Sequence, residues 1–161
     1  MSSLKIALFP GSFDPFHNGH LEIVERASQL FDKVVVAAMR NPQKAGPLFS
    51  LHERESMIEK SVAHIGNVEI VGLSTLVVTL AQEMGASVII RGLRAVSDFE
   101  NELQMAQMNR ELSGIDTVFI PTSAEYSFLA SRLLREVWHY GGDVSSMVPP
   151  PVASALAESM R

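Results

Sequence analysis

Five short apolar runs, each followed by a stretch with helical spacing, constrain this chain more than any other feature. Residues 4–9 are apolar apart from Lys5, and residues 33–39 read K-V-V-V-A-A-M, a β-branched run of the kind buried on both faces. Residues 68–71, 88–90 and 118–120 are three more candidate strands. The first run precedes a stripe of Leu21, Ile23, Val24, Ala27 and Leu30, and the second precedes Leu51, Ile58 and Val62. A third helix is expected from Thr75 or a neighbour to about Met84, a fourth from Ser97 to about Leu112, and a fifth over residues 127–140. Strands alternating with helices predict an α/β fold: a single doubly wound domain, residues 1–161, with a five-stranded parallel sheet.

Local signals punctuate this pattern. Pro10 and Gly11 are expected to end the first strand, and Asn18 to cap the first helix. Ser50 with Glu53, and Ser97 with Glu100, have capping-box spacing. Gly85 is placed as a glycine just past a helix end, and Gly141 and Gly142 close the fifth helix. Pro149, Pro150 and Pro151 start a short terminal helix, expected to dock as a helical C-terminal tail. The helix of residues 97–112 carries two apolar stripes, Phe99, Leu103 and Ala106, then Met105, Met108 and Leu112. The second marks either a subunit contact or a deeply buried helix.

In sheets of this kind ligands sit beyond the C-terminal ends of the strands. The residues there are Ser12, His17 and His20, then Lys44, then Arg91 and Arg94, then Tyr126, Ser127 and Ser131. Residues 9–20 read F-P-G-S-F-D-P-F-H-N-G-H, so a hydroxyl and two imidazoles surround a helix start, which attracts anions. With the three cations they describe a polyphosphate pocket. The chain carries a net charge of −5, which argues against nucleic-acid or membrane binding, so any anion must be held by a local cation cluster.

Several alternatives fall away. There is no cysteine, which excludes disulfides, thiolate catalysis and cysteine-ligated metals. His17 and His20 stand at metal-ligand spacing, yet no third ligand or glutamate base motif follows, so no metal ligand is assigned. Asp14 reads as an Asx-turn former, while Lys44 reads as readily as an exposed loop lysine as a ligand contact. R-G-L-R at 91–94 follows a buried strand directly, and Gly92 permits close backbone approach. No dinucleotide fingerprint, P-loop or nucleophile elbow is present. No apolar run approaches the ~20 residues of a membrane span and no signal peptide is visible, so a cytoplasmic location is expected.

G-S-F-D-P-F-H-N-G-H at 11–20 resembles the H-x-G-H signature of the nucleotidyltransferase superfamily. I-R-G-L-R at 90–94 and D-F-E-N-E-L-Q-M-A-Q-M-N-R at 98–110 narrow the resemblance to the bacterial phosphopantetheine adenylyltransferases, from about Lys5 through the C-terminal tail. That resemblance implies adenylyl transfer from ATP to 4′-phosphopantetheine, with Mg2+, a homohexamer, and coenzyme A as a feedback ligand. It implies that His20 stabilises the transition state and that Ser12 and Phe13 meet ATP, Ser12 lying also near the acceptor. Lys44, Arg91 and the backbone around Val77 would bind phosphopantetheine. Gly92, Leu93, Arg94 and Glu102 would touch ATP, as would Tyr126, Ser127, Phe128, Leu129, Ala130, Ser131 and Arg132. Where the family usually reads Y-S-F-I-S-S-S, this chain reads Y-S-F-L-A-S-R, so Ala130 and Arg132 replace two hydroxyls. Thr75 stands where an acidic residue is frequent. Nicotinamide mononucleotide adenylyltransferases, cytidylyltransferases and a nucleotide-binding regulatory module are the competing readings.

Overall fold

The structure is a computed structural model that describes residues 2–40, 46–94 and 99–159. Five strands, β1 (Ile6–Gly11), β2 (Lys33–Met39), β3 (Val68–Leu73), β4 (Val88–Leu93) and β5 (Asp116–Pro121), form one sheet in the order β3-β2-β1-β4-β5. Every pairing is parallel. The helices are α1 (Asn18–Leu30), α2 (Leu51–Ser61), α3 (Val77–Glu83), α4 (Phe99–Ser113), α5 (Ser131–His139) and α6 (Pro150–Ser159).

The period-2 geometry of the strands divides the core into two layers. Ala7 and Phe9 of β1, Val34, Val36 and Ala38 of β2, and Ile90 of β4 face α1, α2, α5 and α6. Leu8, Val35, Ala37 and Ile89 point the other way, where Val78 and Ala81 of α3 cover them. Both faces are therefore buried, which is why the strands read as continuous apolar runs rather than alternating ones. Val152 and Leu156 of α6 are buried in the first layer, so the tail docks as expected. Ser50 and Glu53 form the capping box expected for α2, and Gly85 follows α3 with a positive φ of 66°.

Several boundaries move. The strand β1 runs on through Pro10 and Gly11, which pair with Ala37 and Ala38 of β2. On its other side the ladder to β4 holds only Ala7↔Val88 and Leu8↔Ile89. A parallel strand aims a residue's N–H and C=O at the same neighbour, so Pro10 lacks its donor only toward that open side. Likewise β4 continues through Arg91, Gly92 and Leu93 because β5 pairs with all three. The fifth helix begins at Ser131 rather than Ser127, since a 3-10 turn (Ala124–Tyr126) comes first and Ala130 is extended. The first helix is capped by His17, not Asn18. The third helix keeps its expected place: Leu76, the neighbour of Thr75, precedes α3 and provides no side-chain cap. The Ser97 cap falls outside the described residues, as does Lys44. None of the residues of α4 is buried, and Met105, Met108 and Leu112 are exposed, so the deeply buried alternative for its second stripe is excluded.

Candidate active site

The sheet reverses its winding between β1 and β4, and the short ladder there leaves a gap at their C-terminal ends. Arg91 fills the near side of that gap. One guanidinium NH1 group donates to the Pro10 carbonyl (2.7 Å), while Nε and NH2 make a two-pronged bond to the Glu102 carboxylate (2.8 Å each). Three of its five N–H donors are used, leaving two for a ligand.

The loop after β1 is held by contacts distant in sequence. Asp14 is buried and accepts hydrogen bonds from the Leu48 and Phe49 N–H groups (2.8 and 3.0 Å), so it joins two loops and is not an Asx-turn former. Arg54, also buried, donates to the Ser12, Met39 and Phe49 carbonyls. Nothing in the pattern of residues singled out Arg54; its place on the apolar side of α2, among Met57, Ile58 and Ser61, was the available signal. Phe13 adopts the left-handed backbone region with φ 49°, and its buried ring lies edge-on to Phe9, Phe16 and His20. A non-glycine residue there carries strain of about 1–2 kcal/mol, which the surrounding aromatic packing must offset.

The two histidines form a reciprocal cap. His17 Nδ1 accepts from the Gly19 and His20 N–H groups, and His20 Nδ1 accepts from the His17 N–H at 3.1 Å. A Cβ on Gly19 would lie 2.9 Å from the His17 ring, so only glycine fits between them. Each imidazole uses Nδ1 as acceptor, which puts its proton on Nε2. Burial, reinforced by Arg94, lowers the His17 pKa to about 3. Burial also holds His20 well below the usual value, with His17, Arg94 and Arg91 adding to it. Both rings are thus neutral N–H donors at pH 7. His20 is stacked between the rings of His17 and Phe16, at 3.6 and 5.5 Å between centroids.

This cap makes stability pH-dependent. A histidine whose folded pKa is depressed is neutral in both states above pH 6.5, but between 6.5 and about 3 only the unfolded chain takes up the proton. Stability contributed by His17 is therefore full above pH 6.5 and declines on acidification by about 1.4 kcal/mol per pH unit. Urea unfolding at pH 7 and pH 5 is expected to show this decline, and His17→Asn, which can still cap, to reduce it by roughly 2 kcal/mol. An equal decline in both proteins would reject the assignment.

Ser12, Phe13, His20, Arg91, Gly92, Arg94, Glu102, Ala130, Ser131 and Arg132 all line one cavity of about 240 Å³ at this gap, with His17 beside them. Other expected residues lie outside its wall. Leu93 ends β4, its carbonyl bonded to Thr122. Tyr126 and Ser127 belong to the 3-10 turn region, where Ser127 donates to the Ala124 carbonyl, and Phe128 is exposed. Leu129 is core, and its carbonyl accepts from Arg94 (2.7 Å). Ser131 donates to the Pro15 carbonyl (2.9 Å), fastening α5 to the histidine loop, while Ala130 leaves α5 without a side-chain cap. Val77 lines a second, mainly apolar cavity of about 300 Å³ with Met39, Ile89 and Met105, which shares Pro10, Arg91 and Glu102 with the first. Among the described residues no group of three His, Asp or Glu side chains could hold a metal ion: the Glu102 carboxylate is taken by Arg91 and that of Asp14 by backbone.

The arrangement can thus bind two phosphate-bearing groups on either side of Arg91 and surround a reacting phosphorus with uncharged and cationic donors. Comparison with known proteins places the chain in a family. Residues 8–137 match the cytidylyltransferase-like family. A Gloeobacter violaceus protein named phosphopantetheine adenylyltransferase is 55% identical over 152 residues, 94% of each chain. One of the same name from Streptomyces coelicolor is 51% identical over 158 residues, 98% of this chain and 99% of that protein. A putative nicotinate-nucleotide adenylyltransferase structure from Vibrio parahaemolyticus superposes with a TM-score of 0.67 at 18% identity, over 96% of this chain and 99% of that one. A Francisella tularensis bifunctional NMN adenylyltransferase/ADP ribose pyrophosphatase complexed with AMP gives 0.65 at 18% identity, covering 98% of this chain and 49% of that one. At such identity the two structures show the Rossmann-like nucleotidyltransferase fold alone.

Proposed function

The chain belongs to the phosphopantetheine adenylyltransferase family, and from that premise we propose how its residues share the work of the reaction. The reaction transfers the adenylyl group of ATP to 4′-phosphopantetheine, giving dephospho-coenzyme A and pyrophosphate, the penultimate step of coenzyme A synthesis. An acceptor phosphate oxygen attacks the α-phosphorus and pyrophosphate leaves in line. A phosphomonoester with a second pKa near 6 is already mostly a dianion at pH 7, so no general base is needed. The difficulty is that two polyanions must meet, and catalysis is positioning and charge stabilisation.

The observation that carries this division of labour is the pair of neutral imidazoles with Nε2–H donors at a cavity also lined by Arg91 and Arg94. Held so far below its usual pKa, His20 does not serve as a proton donor of general-acid type; it stabilises the charge growing on the α-phosphate by hydrogen bonding, helped by Ser12. Arg91 offers its two remaining donors to the acceptor phosphate, with Glu102 fixing the guanidinium's orientation. Gly92, Leu93, Arg94 and the segment 126–132, with Phe13, form the ATP side. The apolar cavity beside Val77 suits the pantetheine arm, and its shared wall at Arg91 supports that reading. Mg2+ would supply neutralisation of phosphate charge in such a reaction, and the nearby carboxylates of Asp14 and Glu102 are held by the Leu48 and Phe49 N–H groups and by Arg91.

The exposed Phe99, Met105, Met108 and Leu112 on α4 support a subunit contact of the expected homohexamer. No helix among the described residues is long and apolar enough to cross a membrane, and a cytoplasmic location fits the use of ATP. Coenzyme A, which extends the product, is proposed as the feedback ligand.

The test is pyrophosphate release from Mg-ATP with 4′-phosphopantetheine, against nicotinamide mononucleotide and against CTP with glycerol 3-phosphate. Release with phosphopantetheine alone is expected. ATP binding without release from any pair would instead identify a regulatory module. Lys44→Ala is expected to raise the KM for phosphopantetheine roughly tenfold, the loss of one charge-assisted contact, with the KM for ATP nearly constant. An unchanged acceptor KM would remove Lys44 from the site.

A further inference from the structure

Arg132 stands at the seam between the catalytic cavity and a second groove, and it lines both. The groove follows one face of α5, where Arg135, Trp138, His139 and Tyr140 stand opposite Leu48. The other two arginines of the catalytic cavity are partly committed, Arg91 by three of its donors to Glu102 and Pro10, and Arg94 to the Leu129 carbonyl. The Arg132 side chain is exposed and its guanidinium makes no hydrogen bond or ion pair with any described residue, so its five donors are not spent within the described chain. Arg135 spends one donor on the Asp14 carbonyl and keeps four. The same turn of helix that gained this cation lacks a capping side chain, because Ala130 precedes it.

In the reaction proposed above, the bond from the α-phosphorus to the bridging oxygen breaks, its electron pair leaving with pyrophosphate, while the acceptor oxygen bonds to phosphorus. No proton or other reagent is required. The leaving polyanion must then depart from a cavity that still holds a second anionic product. We propose that the groove beside α5 is the exit site for pyrophosphate, with Arg132 passing the anion from the catalytic cavity to the Arg135 and His139 face. Glu136 lies on the same rim and opposes a tightly held anion. The groove is therefore a passage and not a store.

The proposal rests on the adenylyl-transfer reading, and the test separates the two. Arg132→Gln and His139→Gln change exposed side chains, so both proteins are expected to fold. Pyrophosphate binding is measured by calorimetry, and the KM for pyrophosphate in the reverse reaction with dephospho-coenzyme A. For Arg132→Gln both pyrophosphate constants are expected to rise roughly tenfold, more than the KM for ATP, and for His139→Gln, which lines only the groove, about threefold with the KM for ATP unchanged. Equal weakening of ATP and pyrophosphate in Arg132→Gln, with His139→Gln silent, would confine Arg132 to the ATP site and overturn the exit groove. Unchanged pyrophosphate constants in both variants would overturn it as well. Arg132-dependent pyrophosphate binding in a protein that does not use phosphopantetheine would uphold the groove and reject the reaction.

Discussion

Replacing His20 with alanine is expected to lower turnover by roughly 10²–10³-fold, the usual consequence of removing one donor aimed at developing charge. The dissociation constant for ATP should stay within about threefold, because a donor that acts on charge present only in the transition state contributes little to the ground state. The ring is well prepared for this. It is stacked between His17 and Phe16, its Nδ1 is occupied by the His17 N–H, and burial keeps it neutral. Because that same Nδ1 is half of the helix cap, the alanine protein should also lose about 1 kcal/mol of stability, visible in a urea midpoint. Turnover and ATP affinity falling by the same factor would mean that His20 binds substrate and does not act selectively on the transition state.

The second large effect is expected from a residue that never meets substrate. Arg54→Met keeps the length of the side chain but orphans three carbonyls, those of Ser12, Met39 and Phe49. Each unsatisfied buried acceptor costs about 1–3 kcal/mol, so a loss of at least about 3 kcal/mol is expected. For a chain of this size that lowers the thermal midpoint by roughly 6–12 °C. Arg54→Lys should recover only part of it, since an ammonium on one stem cannot reach three carbonyls in a plane. A loss below about 1 kcal/mol in Arg54→Met would show that water satisfies those carbonyls and that the loop bearing Ser12 is held otherwise.

How legible these features were depends on how local their causes are. The five strands and most helices were readable because burial on both faces imposes a continuous β-branched run, and burial on one face imposes a helical stripe. The capping box at Ser50 and Glu53 and the glycine after α3 were readable for the same reason: donor, acceptor and backbone angle lie within four residues of each other. Asp14 was misread because its partners, Leu48 and Phe49, lie more than thirty residues away. Pro10 and Gly11 look like strand breakers in isolation; that β1 tolerates them depends on the ladder to β4 having already ended. The start of α5 moved to Ser131 because its hydroxyl and the Leu129 carbonyl are bound by Pro15 and Arg94, neither of them near in sequence.

The hydroxyls, imidazoles and cations at the strand ends were enough by themselves to indicate a polyphosphate pocket, and the resemblance of the histidine loop, R-G-L-R and residues 98–110 to a known family named the reaction. Their protonation, their mutual bonds and the partition of the gap into two cavities were decided only by the tertiary structure. A pKa depends on burial and neighbouring charge, and a guanidinium's free donors depend on which others are spent. Both are sums over residues that only the folded chain brings together.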